Sequence, residues 1–233
     1  MKVAIMQPYF MPYIGYFQLI NAVDAFVIYD NIEFTKKGWI NRNRILVNGK
    51  DDYFTVPLKK DSDFLNVNQR ELSESCAKER VKIISKIAES YKKAPQYKEV
   101  FPLIEEIFMT ENQNLFYFIF NSLKVIIQYL EIKTKVVISS SVKIDHSLKS
   151  QDKVLALCKY LEATHYMNPI GGINLYSNEV FKTNDLQLNF IKSNTINYKQ
   201  FDNDFIPWLS IIDVMMFNSF EEIKQMLNQY ELV

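Results

Sequence analysis

The sequence is short of several things at once. Its 233 residues hold two cysteines, two histidines and five glycines, and no apolar run is long enough to cross a bilayer. Cys76 and Cys158 stand far apart in helical patterns, which excludes a disulfide framework; both are expected as free thiols, with a thiol nucleophile the weaker reading. His146 and His165 stand in no Cys/His spacing that suggests zinc, so only a carboxylate-held metal stays open. The stretch "NLFYFIFNSLKVIIQYL" is interrupted by Asn121, Ser122 and Lys124 and falls short of the roughly 18 apolar residues that a span requires. The apolar run after Lys2 is too short for a signal peptide and lacks a small-residue cleavage site, so a cytoplasmic location without a membrane partner is expected. An excess of either charge is missing too. The 27 Lys and Arg residues balance 27 Asp and Glu, leaving no net field to draw DNA or an anionic surface over long range. Any anion must then be held by a local cluster.

What is present is apolar and aromatic: 48% of the residues are hydrophobic and 14% are Phe, Trp or Tyr, enough for one large core. "KVAIM" (2 to 6) and "AFVIYD" (25 to 30) read as strands. Tyr16, Leu19, Ile20 and Val23 recur between them at helical spacing. A strand, helix, strand order makes the two strands parallel neighbours through a right-handed crossover. It also puts "QPYFMPYIGYFQLI" (7 to 20) at the carboxyl end of the first strand, where open parallel sheets bind ligands.

"NGKD" between two β-type runs at 44 to 58 signals a hairpin, and residues 73 to 132 turn helical, with breaks at Pro95 and Asn112 to Asn114. "KVVISSS" (135 to 141) and "LQLNFIKS" (186 to 193) read as strands, 150 to 163 as a helix capped by Ser150, and the last segment as helices, the first starting after Pro207. The expectation is one α/β domain over residues 1 to 233, with a mainly parallel, Rossmann-like sheet and a helical insertion at about 73 to 132.

Three clusters could carry chemistry. "YDNIEFTKKGWINRNRI" (29 to 45) follows the second strand and gathers Asp30, Lys36, Trp39, Asn41, Arg42 and Arg44, a composition suited to a phosphorylated, ring-bearing ligand. The alternative is a solvated basic loop anchored by Trp39. In "NPIGGINLY" (168 to 176), Gly171 and Gly172 would let the backbone approach an anion, or would simply make a tight turn. In "NYKQFDNDFIPWLSIIDVMMFN", Ser210 and Asp213 lie one turn apart, as catalytic groups or as a cap and a buried acceptor. No Gly-x-Ser-x-Gly elbow supports a hydrolase triad.

Taken in order, "QPYFMPYIGYFQLI", "DAFVIYDNIEFTKKGWINRNRI", "YMNPIGGINLY" and "YKQFDNDFIPWLSIIDVMMFN" resemble the WbqC-like family over residues 3 to about 218. The resemblance implies an amide-forming transferase of surface-polysaccharide (O-antigen, lipopolysaccharide) biosynthesis, placing an acylated or glycyl-type group on the amine of a nucleotide-linked amino sugar. Carried over by position, the family-like residues are Gln7, Pro8, Tyr9, Pro12, Gly15, Tyr16, Asp24, Asp30, Lys36, Trp39, Asn41, Arg42, Arg44, Tyr176, Gln200, Pro207, Ser210 and Asp213. This chain departs from the pattern at Tyr13, where Trp is commoner, at Asn31 and Glu33, which stand for Asp and Gln, and at Ser219, where Gly is usual.

The implied substrate is a dTDP- or UDP-linked amino sugar, a homodimer is compatible with the reading, and no cofactor is assigned beyond ATP or an activated acyl or aminoacyl donor. Arg42, Arg44 and Lys36 are expected on the diphosphate, Asp30 as the base with Asp213 in reserve, and Tyr9, Tyr13 or Tyr16 against the sugar ring, with Gly15 admitting the ligand to the backbone. "PYIGY" is also similar to the His-x-Gly-His element of nucleotidylyl transferases, with Tyr13 and Tyr16 in the histidine places. That keeps an acyl-adenylate ligase as one alternative. A non-catalytic nucleotide-sugar-binding or scaffold protein is the other.

Overall fold

The computed structural model describes residues 1–202 and 204–233 of the chain. Strand β1 (Lys2–Met6) leads through α1 (Ile14–Asn21) to β2 (Ala25–Ile28), and the two pair in parallel from Val3↔Ala25 to Met6↔Ile28. The hairpin β3 (Arg42–Val47) and β4 (Lys50–Thr55) turns at Asn48 and Gly49, both with positive φ, the left-handed pair that a two-residue hairpin turn requires. Three helices follow, α2 (Cys76–Tyr91), α3 (Tyr97–Met109) and α4 (Leu115–Tyr129), in the stretch where helical spacing was read. Then come β5 (Lys135–Ile138), α5 (Ser150–Tyr160), β6 (His165–Pro169), α6 (Asn178–Thr183) and β7 (Gln187–Ser193). The chain closes with α7 (Ile211–Phe217), α8 (Phe220–Met226) and β8 (Tyr230–Leu232).

The six-stranded sheet runs β5-β2-β1-β6-β7-β8, parallel except for β8. Because side chains alternate along a strand, Val3, Ile5, Ala25 and Val27 face Val154, Leu157 and Phe181 of α5 and α6. Ala4, Phe26 and Ile28 face the opposite core, which holds α1 and the three middle helices. The sheet is thus wound on both faces. From β1 the chain proceeds outward to β2 on one side, and from β6 outward to β7 on the other, so the order reverses between β1 and β6. A crevice opens at such a reversal, at the carboxyl ends of the strands.

The aromatic loop after β1 is pulled into this frame by its interior. Phe10 and Met11 are fully buried, with the Phe10 ring 5.0 Å from Phe118 and 5.3 Å from Phe108 of the helical block. Met11 takes a left-handed backbone, φ 48°, which a bulky residue keeps only where its surroundings impose it. They do so here: Asn43 Nδ2 donates to the carbonyls of both Phe10 (3.1 Å) and Met11 (2.8 Å), and Ser210 Oγ donates to Met11 (2.7 Å). The Phe10 amide donates to the Trp39 carbonyl and the Ile211 amide to that of Pro12.

Three local expectations are corrected. Ser150 does not cap α5; it is the first helical residue, with φ 48°, and Lys149 precedes it. Pro207 lies outside α7, whose cap is Ser210, accepting from the Ile212 amide. The end of the chain adds β8, antiparallel to β7, where only helices were read. Among the described residues no helix is long and apolar enough to cross a membrane.

Replacing Asn43 by Ala would take the side-chain donor from the buried Phe10 carbonyl and leave the Met11 carbonyl with Ser210 alone. The expected loss is about 1–3 kcal/mol of unfolding free energy, read from urea denaturation. A loss below about 0.5 kcal/mol would show that the loop is held without the Asn43 amide.

Candidate functional site

A cleft of about 620 Å³ opens at the order reversal. Its floor is the end of β1 at Met6 and the first turn of α1. One side is Pro169, Ile170, the end of β7 from Ile191 to Ser193, and Thr195 just after it, and the other is Trp39, Asn43, Arg44 and Trp208. Tyr9, Tyr13, Gly15, Tyr16, Trp39 and Arg44, all expected from sequence, come together here. Nothing in the sequence patterning singled out Ile170, Ile191, Lys192, Ser193, Thr195 or Trp208. The carboxyl end of the 186 to 193 strand was the available signal for the β7 residues.

The walls are aromatic and rigid. The Tyr9 ring packs 5.7 Å from Tyr16, and Tyr13 packs 5.0 Å from Trp208, which holds a left-handed φ of 63° at the cleft mouth. Burial pushes the Tyr13 phenol up to about 12, raises Tyr9, and raises Tyr16 further, so all three are hydrogen-bond donors at neutral pH. The Tyr16 hydroxyl donates to the Gln7 backbone carbonyl at 2.9 Å, and Gln7 is not part of the cleft lining. Gly15 lines the cleft and also packs closely, since a Cβ there would meet Ser193 Oγ at 2.8 Å.

Of the basic loop only Arg44 brings charge to the cleft. Its Nη1 pairs with Asp51 at 2.9 Å and its Nη2 donates to the Trp208 carbonyl at 3.2 Å. Its Nε is buried without a partner. Arg42 donates to the carbonyls of Gly38 and Lys37 and lies over the Tyr53 ring, Lys36 pairs with Asp63 at the surface, and Asn41 donates to the Val56 carbonyl. None of these three lines the cleft.

Both candidate bases are buried braces. Asp30 accepts from the Ser140 amide at 2.9 Å on Oδ1 and from Asn68 Nδ2 at 2.8 Å on Oδ2, with no place in the cleft wall. Burial lowers the nearby Lys153 ammonium, 3% exposed, against the opposing pull of Asp30. Asp213 accepts from Tyr91, Tyr198 and Gln200, each at 2.7 Å. Ser210 is the cap described above, and Gln200 is spent on Asp213 and the backbone of Ile206.

The remaining expectations also resolve into structure. Gly172 packs so tightly on Asn168 that a Cβ would lie 2.1 Å from its Oδ1, while Gly171 has open space around it; neither lines the cleft. Tyr176 sits on the opposite face of the sheet with Tyr166 and Phe181. Cys76 and Cys158 are buried thiols, raised by burial, Cys158 to about 12, which rules against a thiolate nucleophile at either. Among the described residues no three His, Cys, Asp or Glu side chains gather as a metal site.

Burial raises the Asp213 carboxyl above its ordinary 3.8, although the Tyr198, Tyr91 and Gln200 donors pull it down. Between the ordinary and the raised value the native state keeps a proton that the unfolded chain has lost. The stabilisation from this group is therefore complete below the ordinary value and is lost as pH rises through the folded one. Asp213→Asn removes that dependence. The stability of the wild type minus that of the variant is expected to shrink from about pH 3 to 7 in denaturant titrations, and a growing difference would mean the carboxylate is held ionised.

Comparison with known proteins follows the same segments. No solved structure matches the chain. It is 28% identical over 218 residues to the uncharacterized protein Rv1507c of Mycobacterium tuberculosis, an alignment that covers 92% of each chain. The description "WbqC-like protein family" matches residues 7–225. That region takes in the cleft from Tyr9 to Trp208 together with the braces behind it, and the chain belongs to the WbqC-like protein family.

Proposed function

We propose that the chain transfers an acyl or aminoacyl group, of glycyl type, onto the amine of a dTDP- or UDP-linked amino sugar, forming an amide during surface-polysaccharide (O-antigen) biosynthesis. The observation that carries this reading is the cleft at the strand-order reversal, with aromatic walls and one interior guanidinium. Its volume of about 620 Å³ is in the range of sites that enclose small molecules. Tyr and Trp faces suit a sugar or nucleobase ring, and Arg44, whose guanidinium belongs to the cleft lining, brings a positive charge to a phosphate oxygen. The first turn of α1 carries no acidic residue and its cap Tyr13 makes no side-chain bond, so the positive end of the helix is left to face the same space.

Amide formation adds a chemical requirement. The sugar amine must be neutral when it attacks, and the cleft lining contains no Asp, Glu or His to take its proton. Asp30, committed to two donors, is not offered as that base. The proton is assigned to solvent or to the departing group of the donor, and the protein supplies proximity, orientation and hydrogen bonding.

The test is a screen of dTDP- and UDP-linked amino sugars against glycine plus ATP, acyl-CoA and aminoacyl-tRNA. The expected result is a sugar nucleotide whose mass rises by one acyl or aminoacyl unit with one donor. AMP release with glycine plus ATP would favour the acyl-adenylate route. Tight binding of the sugar nucleotide with no mass change for any donor would overturn the transferase reading in favour of a scaffold.

A further inference from the structure

Most polar groups around the cleft already have partners. Asn43 is committed to the carbonyls of Phe10 and Met11, Ser193 to Gln18, Tyr16 to Gln7, and Lys192 to Glu231, while Arg44 retains only its Nε. Two half-buried tyrosines stand apart. Tyr9 and Tyr13 line the cleft, and their hydroxyls make no hydrogen bond among the described residues. Thr195 also lines the cleft, but it is an exposed residue.

We infer that Tyr13 and Tyr9 are catalytic hydrogen-bond donors to the oxyanion that forms on the acyl carbonyl when the sugar amine attacks it. The inference rests on the transferase reading and deepens it. The amine nitrogen gives its lone pair to the carbonyl carbon, and the C=O π pair moves onto oxygen. The phenolic O–H groups donate to that developing negative charge. When the intermediate collapses, the C=O bond re-forms, the new C–N bond stays, and the leaving group of the activated donor (a thiolate, an adenylate phosphate or a ribose alkoxide) departs with its bonding pair. The extra amine proton goes to that leaving group or to water.

Three observations fit this task. The rings are held by packing, Tyr9 on Tyr16 and Tyr13 on Trp208, which limits the reorganisation needed as charge develops. They hold their protons: burial raises both phenols, which makes them poor bases and constant donors through neutral pH. They are also phenols without a hydrogen-bond partner among the described residues, in a cleft whose lining offers no carboxylic acid or imidazole for the same role.

The experiment uses Tyr13→Phe and Tyr9→Phe, which keep each ring and remove only the hydroxyl, with whichever dTDP- or UDP-linked amino sugar and whichever of acetyl-CoA, glycine plus ATP or glycyl-tRNA serve the wild type. Each change is expected to lower kcat by about 10²–10³-fold with KM and melting temperature near wild type. An unchanged kcat, or a raised KM with kcat intact, in both variants would overturn the inference while leaving the transferase reading standing. Absence of transfer by the wild type with every donor would overturn both. A variant that melts early is judged by the other one.

Discussion

The cleft depends on the carbonyl groups of Phe10, Met11 and Pro12. Five residues into the sheet's first crossover, the chain is forced into a left-handed step at Met11 and pinned there by Asn43, Ser210 and the Ile211 amide. Those donors come from the hairpin and from α7, elements about 30 and 200 residues farther along the chain. Because a buried carbonyl without a donor is costly, the loop, the hairpin and α7 can occupy only one mutual arrangement. That arrangement turns Phe10 inward against Phe108 and Phe118 and leaves Tyr9 and Tyr13 on the cleft side. The aromatic richness of the first turn therefore has two causes, anchoring and lining, divided residue by residue.

Behind the cleft stands a second buried knot. Asp213 and its three donors, one of them the Tyr91 hydroxyl that also accepts from the Leu46 amide, tie α7 to α2 and to β3. Ser210 and Asp213 are thus placed near a site without entering it. A Ser and an Asp one turn apart read as chemistry in a sequence; in the fold they are a helix cap and a cross-brace. Asp30 does similar work at the end of β2, where its two oxygens hold the segment after β5 and the loop at Asn68.

The features that were legible in the sequence are those set by local pattern. Alternation and helical spacing placed β1, α1 and β2, the Asn48–Gly49 turn placed the hairpin, and the position of the first loop at a carboxyl strand end pointed to Tyr9, Tyr13, Tyr16, Trp39 and Arg44. The rest depended on distant pairings. Arg42 and Arg44 are two residues apart and chemically alike, yet the carbonyls of Lys37 and Gly38 capture one guanidinium while the other reaches the cleft. Trp208 becomes a cleft wall through contact with Tyr13, nearly 200 residues earlier, and β8 becomes a strand only because β7 offers it an edge. Buried carboxylates are the hardest case, because bracing a loop and taking a proton call for the same residue in the same kind of place.

Under the proposed function, the ligand's anionic group meets Arg44 in the cleft and not the Lys36–Arg42 loop. Calorimetric titration of the dTDP-linked amino sugar into Arg44→Ala and Arg42→Ala tests it most directly. The account predicts a ten- to hundredfold loss of affinity, about 1.5–3 kcal/mol, for Arg44→Ala, and less than about a threefold loss for Arg42→Ala, whose guanidinium is spent on backbone carbonyls. Equal losses, or a larger loss at Arg42 in a folded variant, would contradict it.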